Sequence, residues 1–400
     1  MLAPSGGVPP IVDSAQRLRE AVAALAAGSG PIAVDTERAS GYRYSQRAYL
    51  VQLRRAGAGT VLLDPIAVDD LSALAEVLDP AAWVLHAASQ DLPCLAELDL
   101  RPAALFDTEL AGRLAGYERV GLGPLVEQLL GFRLEKGHGA ADWSRRPLPA
   151  DWLTYAALDV ELLLPLAEAM AAELDTQGKR GWAEEEFESV RTAGPPSPRT
   201  DPWRRTSGIH RVRKPRQLAA VRELWTVREE LARRHDVAPG RVLPDSAVVA
   251  AALTDPPDET ALVALPVFGG RAQRRQARTW GAALHRAREL PPEELPTARP
   301  PADGPPPVSR WEERDPAAAA RLAAARAALA TLAEAHQVPV QNLLQPDLVR
   351  RLCWAPPAGD GTPSGDLDGV HEALRAGGAR RWQRELTAAP LLAALQTRPG

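Results

Sequence analysis

The chain has 400 residues, with 47 Lys and Arg against 51 Asp and Glu and a net charge of −4. That length exceeds one ordinary domain, so two or three domains, each with its own core, are expected. A hydrophobic share of 45% and a charged share of 24% exclude a fibrous or wholly disordered protein.

Cys94 and Cys353 are the only cysteines, far apart and in no CxxC pair. A disulfide framework and a cysteine-rich zinc site are therefore not expected, and a reducing, cytoplasmic setting fits best. The start, Met1 to Gly7, has no basic region followed by an apolar core, so no secretory signal is read there. No apolar run is long enough for a bilayer, and no membrane association is expected.

Charge is distributed unevenly. Residues 1–200 hold 18 basic and 28 acidic side chains, 201–290 hold 17 and 10, and 291–400 hold 12 and 13. The middle segment, at +7, is the candidate phosphate-binding surface.

In chain order, Pro31-Ile32-Ala33-Val34, residues 48–53, Thr60-Val61-Leu62-Leu63 and Trp83-Val84-Leu85 read as strands. Helical spacing appears over 69–78, 89–98, 122–130 and 150–174. Strands mixed with helices around one sheet predict an α/β domain over 1–192. The Pro/Gly/Ser stretch at 193–208 reads as a linker. Helical rhythm over 217–235, 246–253, 260–265 and 271–288 predicts an all-α bundle spanning 209–290. A proline-rich linker at 291–309 follows, then a second small helical domain over 310–396 with a long helix at 317–336. Trp225, Trp280, Trp311, Trp354 and Trp382 fall in these helical patterns, where core packing is expected over base stacking.

Three short patterns carry candidate chemistry. In a strand, Asp35 and Glu37 project from one face, as a hard cation requires of paired carboxylates. Alone, the ordinary reading of such a pair is an exposed strand end. Asp91 follows a strand and a loop, where a charge near a helix start is the ordinary reading. His86, upstream of it, reads as a hydrogen-bonded structural residue before a metal ligand. Tyr155 and Asp159 are four apart and share a helix face.

Taken in order, these motifs resemble the DEDD exonuclease superfamily in its tyrosine-bearing subclass, most closely its ribonuclease D branch. The matching residues are Asp35 and Glu37, then His86, Ala87, Asp91 and Leu92, then Tyr155 and Asp159. Between them, Phe106-Asp107-Thr108 and Asp142-Trp143-Ser144-Arg145-Arg146-Pro147-Leu148 also match that branch. The resemblance implies a ribonuclease H-like exonuclease fold followed by two HRDC-like helical bundles. Leu243-Pro244-Asp245-Ser246 and Leu265-Pro266-Val267-Phe268 look like turns of the first bundle, whereas the third segment has no matching turns.

The resemblance further implies a 3′–5′ exoribonuclease that releases nucleoside 5′-monophosphates, with precursor tRNA or other structured RNA as substrate. Asp35, Glu37, Asp91 and Asp159 would hold two divalent ions, Mg²⁺ or Mn²⁺, and Tyr155 would orient the attacking water. Around the middle domain, Arg204, Arg205, Arg211, Arg213, Lys214 and Arg216, with Arg271, Arg274, Arg275 and Arg278, form the candidate RNA-contacting set. The partner is then RNA with a free 3′ end, and a monomer is the default expectation. A DNA-directed exonuclease and a non-catalytic RNA-binding protein are the rivals. The intact set of five side chains argues against the second.

Overall fold

The computed structural model describes residues 4–134, 137–195, 197–298, 304–357 and 366–397. Met1–Ala3 and parts of both predicted linkers, Pro196 and residues 299–303, lie outside the described residues, as do residues 358–365 of the third unit.

The first unit is built on strands β1 (Ile11–Val12), β2 (Ser29–Glu37), β3 (Leu50–Ala56), β4 (Gly59–Leu63), β5 (Ala82–Leu85) and β6 (Ala104–Asp107). They form one sheet in the order β1-β4-β3-β2-β5-β6. Pairing is antiparallel from β2 through β3 to β4, and parallel from β2 through β5 to β6. The helices are α1 (Ala15–Ala27), α2 (Ser72–Leu78), α3 (Leu92–Ala96), α4 (Thr108–Leu114), α5 (Leu122–Leu130), α6 (Ala150–Glu161), α7 (Leu163–Thr176) and α8 (Arg180–Arg191).

Alternation along β2 sets the two faces of the sheet. Ile32 and Val34 pack with Leu18, Leu25 and Leu74 of α1 and α2. Ala33, on the opposite face, packs with Val84, Val160 and Leu163 under α6 and α7. Asp35 and Glu37 continue that second face, so the strand delivers them beneath α6.

Several expectations need correction. β1 and β6 were not predicted; two-residue and four-residue strands offer too few positions for a period-2 pattern to register. The helix expected over 89–98 is a 3₁₀ turn, Ala88–Gln90, followed by the short α3. The helix expected over 150–174 breaks at Leu162 into α6 and α7. The linker at 193–208 is partly structured: Pro202–Arg205 is a 3₁₀ turn, and Trp203 is buried in the middle unit's core. In the second linker, Leu295 packs on the middle unit and Val308 on the third.

The middle and third units share one plan. Pro215–His235 has 21 residues and ends at Asp236 in a left-handed conformation, followed by Pro239–Val242 and Asp245–Thr254. Pro316–His336 likewise has 21 residues and ends at left-handed Gln337, followed by Val340–Leu343 and Pro346–Trp354. The closing bonds repeat as well, Val237 N–H to Ala232 O and Val338 N–H to Ala333 O, each at 3.0 Å. Trp280, Trp311 and Trp382 are fully enclosed and Trp225 and Trp354 pack on cores, in keeping with the packing expectation.

Both helical units dock on the first. Trp382 stacks on Trp182 at 4.8 Å and donates from Nε1 to Glu186 at 3.1 Å. Arg380 pairs with Glu186 at 2.7 Å.

Candidate active site

β2, an interior strand, ends on Glu37, so Asp35 and Glu37 stand at its C-terminal end, two residues apart on one face. The buried side of α6, Ala156, Ala157 and Val160, lies on the sheet. That docking turns Tyr155 and Asp159 toward the strand end. Carboxylate oxygens of Asp35, Glu37 and Asp159 fall within 4.8 Å of one another.

Asp91 arrives by a different route. After β5, Ala87 takes a left-handed conformation, φ 60°. This tight turn is pinned by Asp107, whose carboxylate accepts from the N–H groups of Ala87 at 3.1 Å and Ala88 at 2.8 Å. The same carboxylate caps α4 through Glu109 and Leu110. The Phe106-Asp107-Thr108 motif is thus the brace for the turn that carries Asp91. Thr108 continues it: its hydroxyl donates to Leu85 O at 3.2 Å, so His86 Nδ1, 2.9 Å away, is the donor to Thr108. Burial pushes the His86 pKa down to about 4, so the ring is a neutral structural partner, as expected.

Asp91 stands at the start of α3, in keeping with the helix-start reading, but its side chain makes no capping bond. Its carboxylate instead accepts from the Thr36 hydroxyl at 2.6 Å. That bond ties Asp91 to β2 between Asp35 and Glu37, in the same cleft as the other three carboxylates. Sequence reasoning passed over Thr36, because a β-branched residue inside a strand looks like ordinary strand composition.

The electrostatics follow from this crowding. Burial first, then the charges of Asp91, Asp159 and Glu37, raise the Asp35 pKa well above the carboxyl range. Burial, then the charges of Asp159 and Asp91, push Glu37 up to about 9. Burial lifts Asp159 to about 7 and Asp91 to about 6, with the Thr36 bond and Arg38 pulling Asp91 back. Such a cluster takes up protons unless cations neutralise it. An all-oxygen donor set of this kind suits a hard divalent ion, so the residues present fit the metal requirement of an exonuclease.

The carboxylates line an open cleft of about 1220 Å³, together with Arg38, Ser40, Gly41, Arg119, Gly137 and Tyr155. The tryptophan motif lies behind one wall, made by Gly137, Gly139 and Ala140. Trp143 is fully buried, and its Nε1 donates to His138 O at 3.2 Å. Arg146 grips Asp64 through Nε at 2.6 Å and Nη2 at 2.8 Å, and also donates to Tyr49 O at 2.8 Å. Asp64 is buried and Arg146 partly exposed, and their pairing ties the motif to the end of β4 as structural support for the site.

Gly137 is a second feature that sequence reasoning missed. A Cβ there would lie 2.1 Å from Tyr155 Cδ2, so only glycine lets the phenol ring sit where it does. Gly137→Ala should displace the ring and lower kcat about 10- to 100-fold, like Tyr155→Phe. The check is a double-mutant cycle. If Gly137 acts through Tyr155, adding Gly137→Ala to Tyr155→Phe causes little further loss, whereas additive losses refute the link.

The basic residues sort into two groups. Arg211, Arg213, Lys214, Arg271, Arg274, Arg275 and Arg278 are exposed on the middle unit, as is Arg205. Arg204 and Arg216 are committed internally: Arg204 pairs with Asp201 at 2.8 Å, and Arg216 donates to Leu290 O at 2.5 Å. Arg278 also departs from the expected helical row, since the helix breaks at Gln276 between Arg271–Arg275 and Ala277–Glu289.

The family described as "3'-5' exonuclease" matches residues 9–175, "HRDC domain" matches 217–284, and "3' to 5' exonuclease C-terminal domain" matches 304–395. A ribonuclease D from Granulibacter bethesdensis is 34% identical over 274 residues, covering 66% of this chain and 68% of that one. A crystal structure of a Bifidobacterium adolescentis protein aligns with TM-score 0.90 and 37% identity, over 99% of each chain. Escherichia coli RNase D, an exoribonuclease involved in structured RNA processing, aligns with TM-score 0.68 and 25% identity, over 98% of this chain and 99% of that one. The α/β sheet, its acidic cleft and these matches define a hydrolytic 3′–5′ exonuclease followed by an HRDC region. The chain belongs to the ribonuclease D family, whose members are 3′–5′ exoribonucleases. No helix among the described residues is long and apolar enough to cross a membrane.

Proposed function

We propose that this enzyme trims the 3′ ends of structured RNA, precursor tRNA among them, at a site made by Asp35, Glu37, Asp91, Tyr155 and Asp159. The observation that carries the reading is the convergence of three carboxylates from β2 and α6 within 4.8 Å, with Asp91 fixed beside them by Thr36. Two divalent cations, Mg²⁺ or Mn²⁺, held by the four carboxylates would supply neutralisation of the phosphate charge and activation of water. Asp35 feels the charge of all three other carboxylates, which suits it to a bridging position. Burial and these carboxylates raise the Tyr155 pKa, so the phenol stays protonated. It therefore acts by donating a hydrogen bond that orients the attacking water, not as a base.

The shared plan of the two helical units supports reading the third, 310–396, as a divergent second HRDC-like copy of the first, 209–290. Both cysteines are buried and unpaired, which supports a reducing, cytoplasmic setting, and we take the enzyme to act as a monomer. The exposed Arg211, Arg213, Lys214, Arg271, Arg274, Arg275 and Arg278 would contact phosphates. Arg271→Glu, Arg274→Glu and Arg275→Glu together should weaken RNA binding. The slope of log affinity against log salt should shrink by about 0.7 for each lost single-strand phosphate contact. An unchanged slope removes the role. Truncation after residue 208 is a poor substitute, since Val338, Leu343 and Trp382 share a core with the exonuclease unit.

Digesting a 5′-labelled RNA, its DNA counterpart and a 3′-blocked RNA tests the whole reading. Cleavage of unblocked RNA to nucleoside 5′-monophosphates, stopped by EDTA and restored by Mg²⁺ or Mn²⁺, is expected. Preferential digestion of DNA would favour the DNA-directed rival, and no digestion the non-catalytic one.

A further inference from the structure

Glu37 is followed by a loop, residues 38–49, whose Ser40 and Gly41 form part of the cleft rim. Within the first unit the loop is held by Arg43 Nε, which donates to Ser144 Oγ at 2.8 Å, by packing of Ala39 and Tyr42 beside Trp143, and by Tyr49 N–H, which returns to Glu37 O at 2.8 Å. The middle unit holds it from outside. Arg241 Nε donates to Gly41 O at 2.8 Å, and its guanidinium lies 4.1 Å from the centre of the Tyr42 ring. Ala238 N–H donates to Tyr42 O at 2.9 Å, and Asp236 accepts from Ser45 N–H at 2.9 Å. All four contacts come from the helix-exit turn, here Asp236–Arg241: the left-handed exit of the long helix Pro215–His235 and the short helix Pro239–Val242 that follows it. The third unit's corresponding turn also meets the first unit, away from the cleft: Gln337 sits so close to Gly116 that a Cβ on that glycine would lie 2.7 Å from Gln337 O.

We propose that the helix-exit turn of the middle unit is a positioning element of the catalytic cleft, with Arg241 and Asp236 setting the rim at Ser40–Gly41. It acts only through the loop and touches none of the carboxylates. The helical unit then has two separable tasks, RNA capture by its exposed basic face and shaping of the cleft by this turn. The kinetic part rests on the exonuclease reading above. Because the rim is held by backbone contacts to a segment joined directly to Glu37, loosening it should impair even a substrate too short to reach the basic face.

The test uses the full chain and two readouts. Arg241→Ala should speed amide exchange across residues 40–46 without changing it in β2 and β3. It should also lower kcat/KM for the dinucleotide pApA about tenfold, as expected for a misplaced cleft wall. Asp236→Ala should give the same pattern from the other side of the loop, and Arg241→Lys, which keeps a donor, should recover much of the loss. Arg286→Ala, which breaks a surface pair with Glu223 in the same unit, should change neither readout. Unchanged exchange in 40–46 overturns the proposal, and so does faster exchange with unchanged pApA hydrolysis. If the wild type fails to cleave both pApA and the longer unblocked RNA, the exonuclease reading falls, and the exchange measurement alone decides whether the turn holds the rim; if only pApA resists, the same kinetic comparison is made on the shortest RNA that is cleaved.

Discussion

Replacing Asp35 or Asp159 with asparagine is expected to reduce RNA cleavage by at least about a thousandfold, the scale on which removal of a central charge-stabilising group acts. Both substitutions are isosteric, so the sheet and α6 should keep their places. Metal-free Asp35→Asn should melt above the metal-free wild type at neutral pH. The reason is that Asp35 carries the heaviest combination of burial and like-charge repulsion in the cleft. Loss of activity with a lowered melting temperature would mean that Asp35 stabilises the fold. Near-normal cleavage by either purified variant would remove the assignment altogether.

The second large effect is a coupling of pH, cation and stability. The folded pKa values of Glu37, Asp159 and Asp91 stand at about 9, 7 and 6, above the range these carboxyls have in an unfolded chain. The metal-free folded state therefore holds protons that the unfolded state has released. Its stability is greatest at low pH within this window and falls as pH rises from about 4 through these folded values. Metal-free melting temperatures should decline between pH 5 and pH 9. Saturating Mg²⁺ or Mn²⁺ should flatten the decline, because the cation replaces the protons. Titrating the cation into weakly buffered protein near pH 7 should release protons, and raising its concentration should move the activity profile toward lower pH. A metal-free stability that rises across this range would show that the carboxylates are not crowded as described.

The candidate site was legible where its geometry is local. Asp35 and Glu37 are neighbours on one strand face because strand side chains alternate. Tyr155 and Asp159 share a face because α-helical neighbours recur four apart. Asp91 was legible only through family resemblance. Its carboxylate is placed by Thr36 from a distant strand, and its turn by Asp107 from another, so its own neighbours say nothing of its direction. The same limit applies to Arg204 and Arg216. In sequence they match the exposed arginines around them, yet Arg204 donates to Thr297 O and Arg216 to Leu290 O, partners that only the folded middle unit supplies.

The sequence by itself determined the chemical inventory: four carboxylates and a phenol at strand and helix spacing, an acidic first half, a basic middle and mostly helical C-terminal units. Periodicity and charge are written in adjacent residues, so they survive without a fold. Tertiary structure decided everything that depends on two distant segments meeting. It drew the carboxylates into one cleft, raised their pKa values by burial, and left space for the Tyr155 ring only over a glycine. It also placed the helix-exit turn of a separate unit on the rim beside Glu37. Those outcomes are set by long-range packing, where the partner of a side chain lies tens to hundreds of residues away.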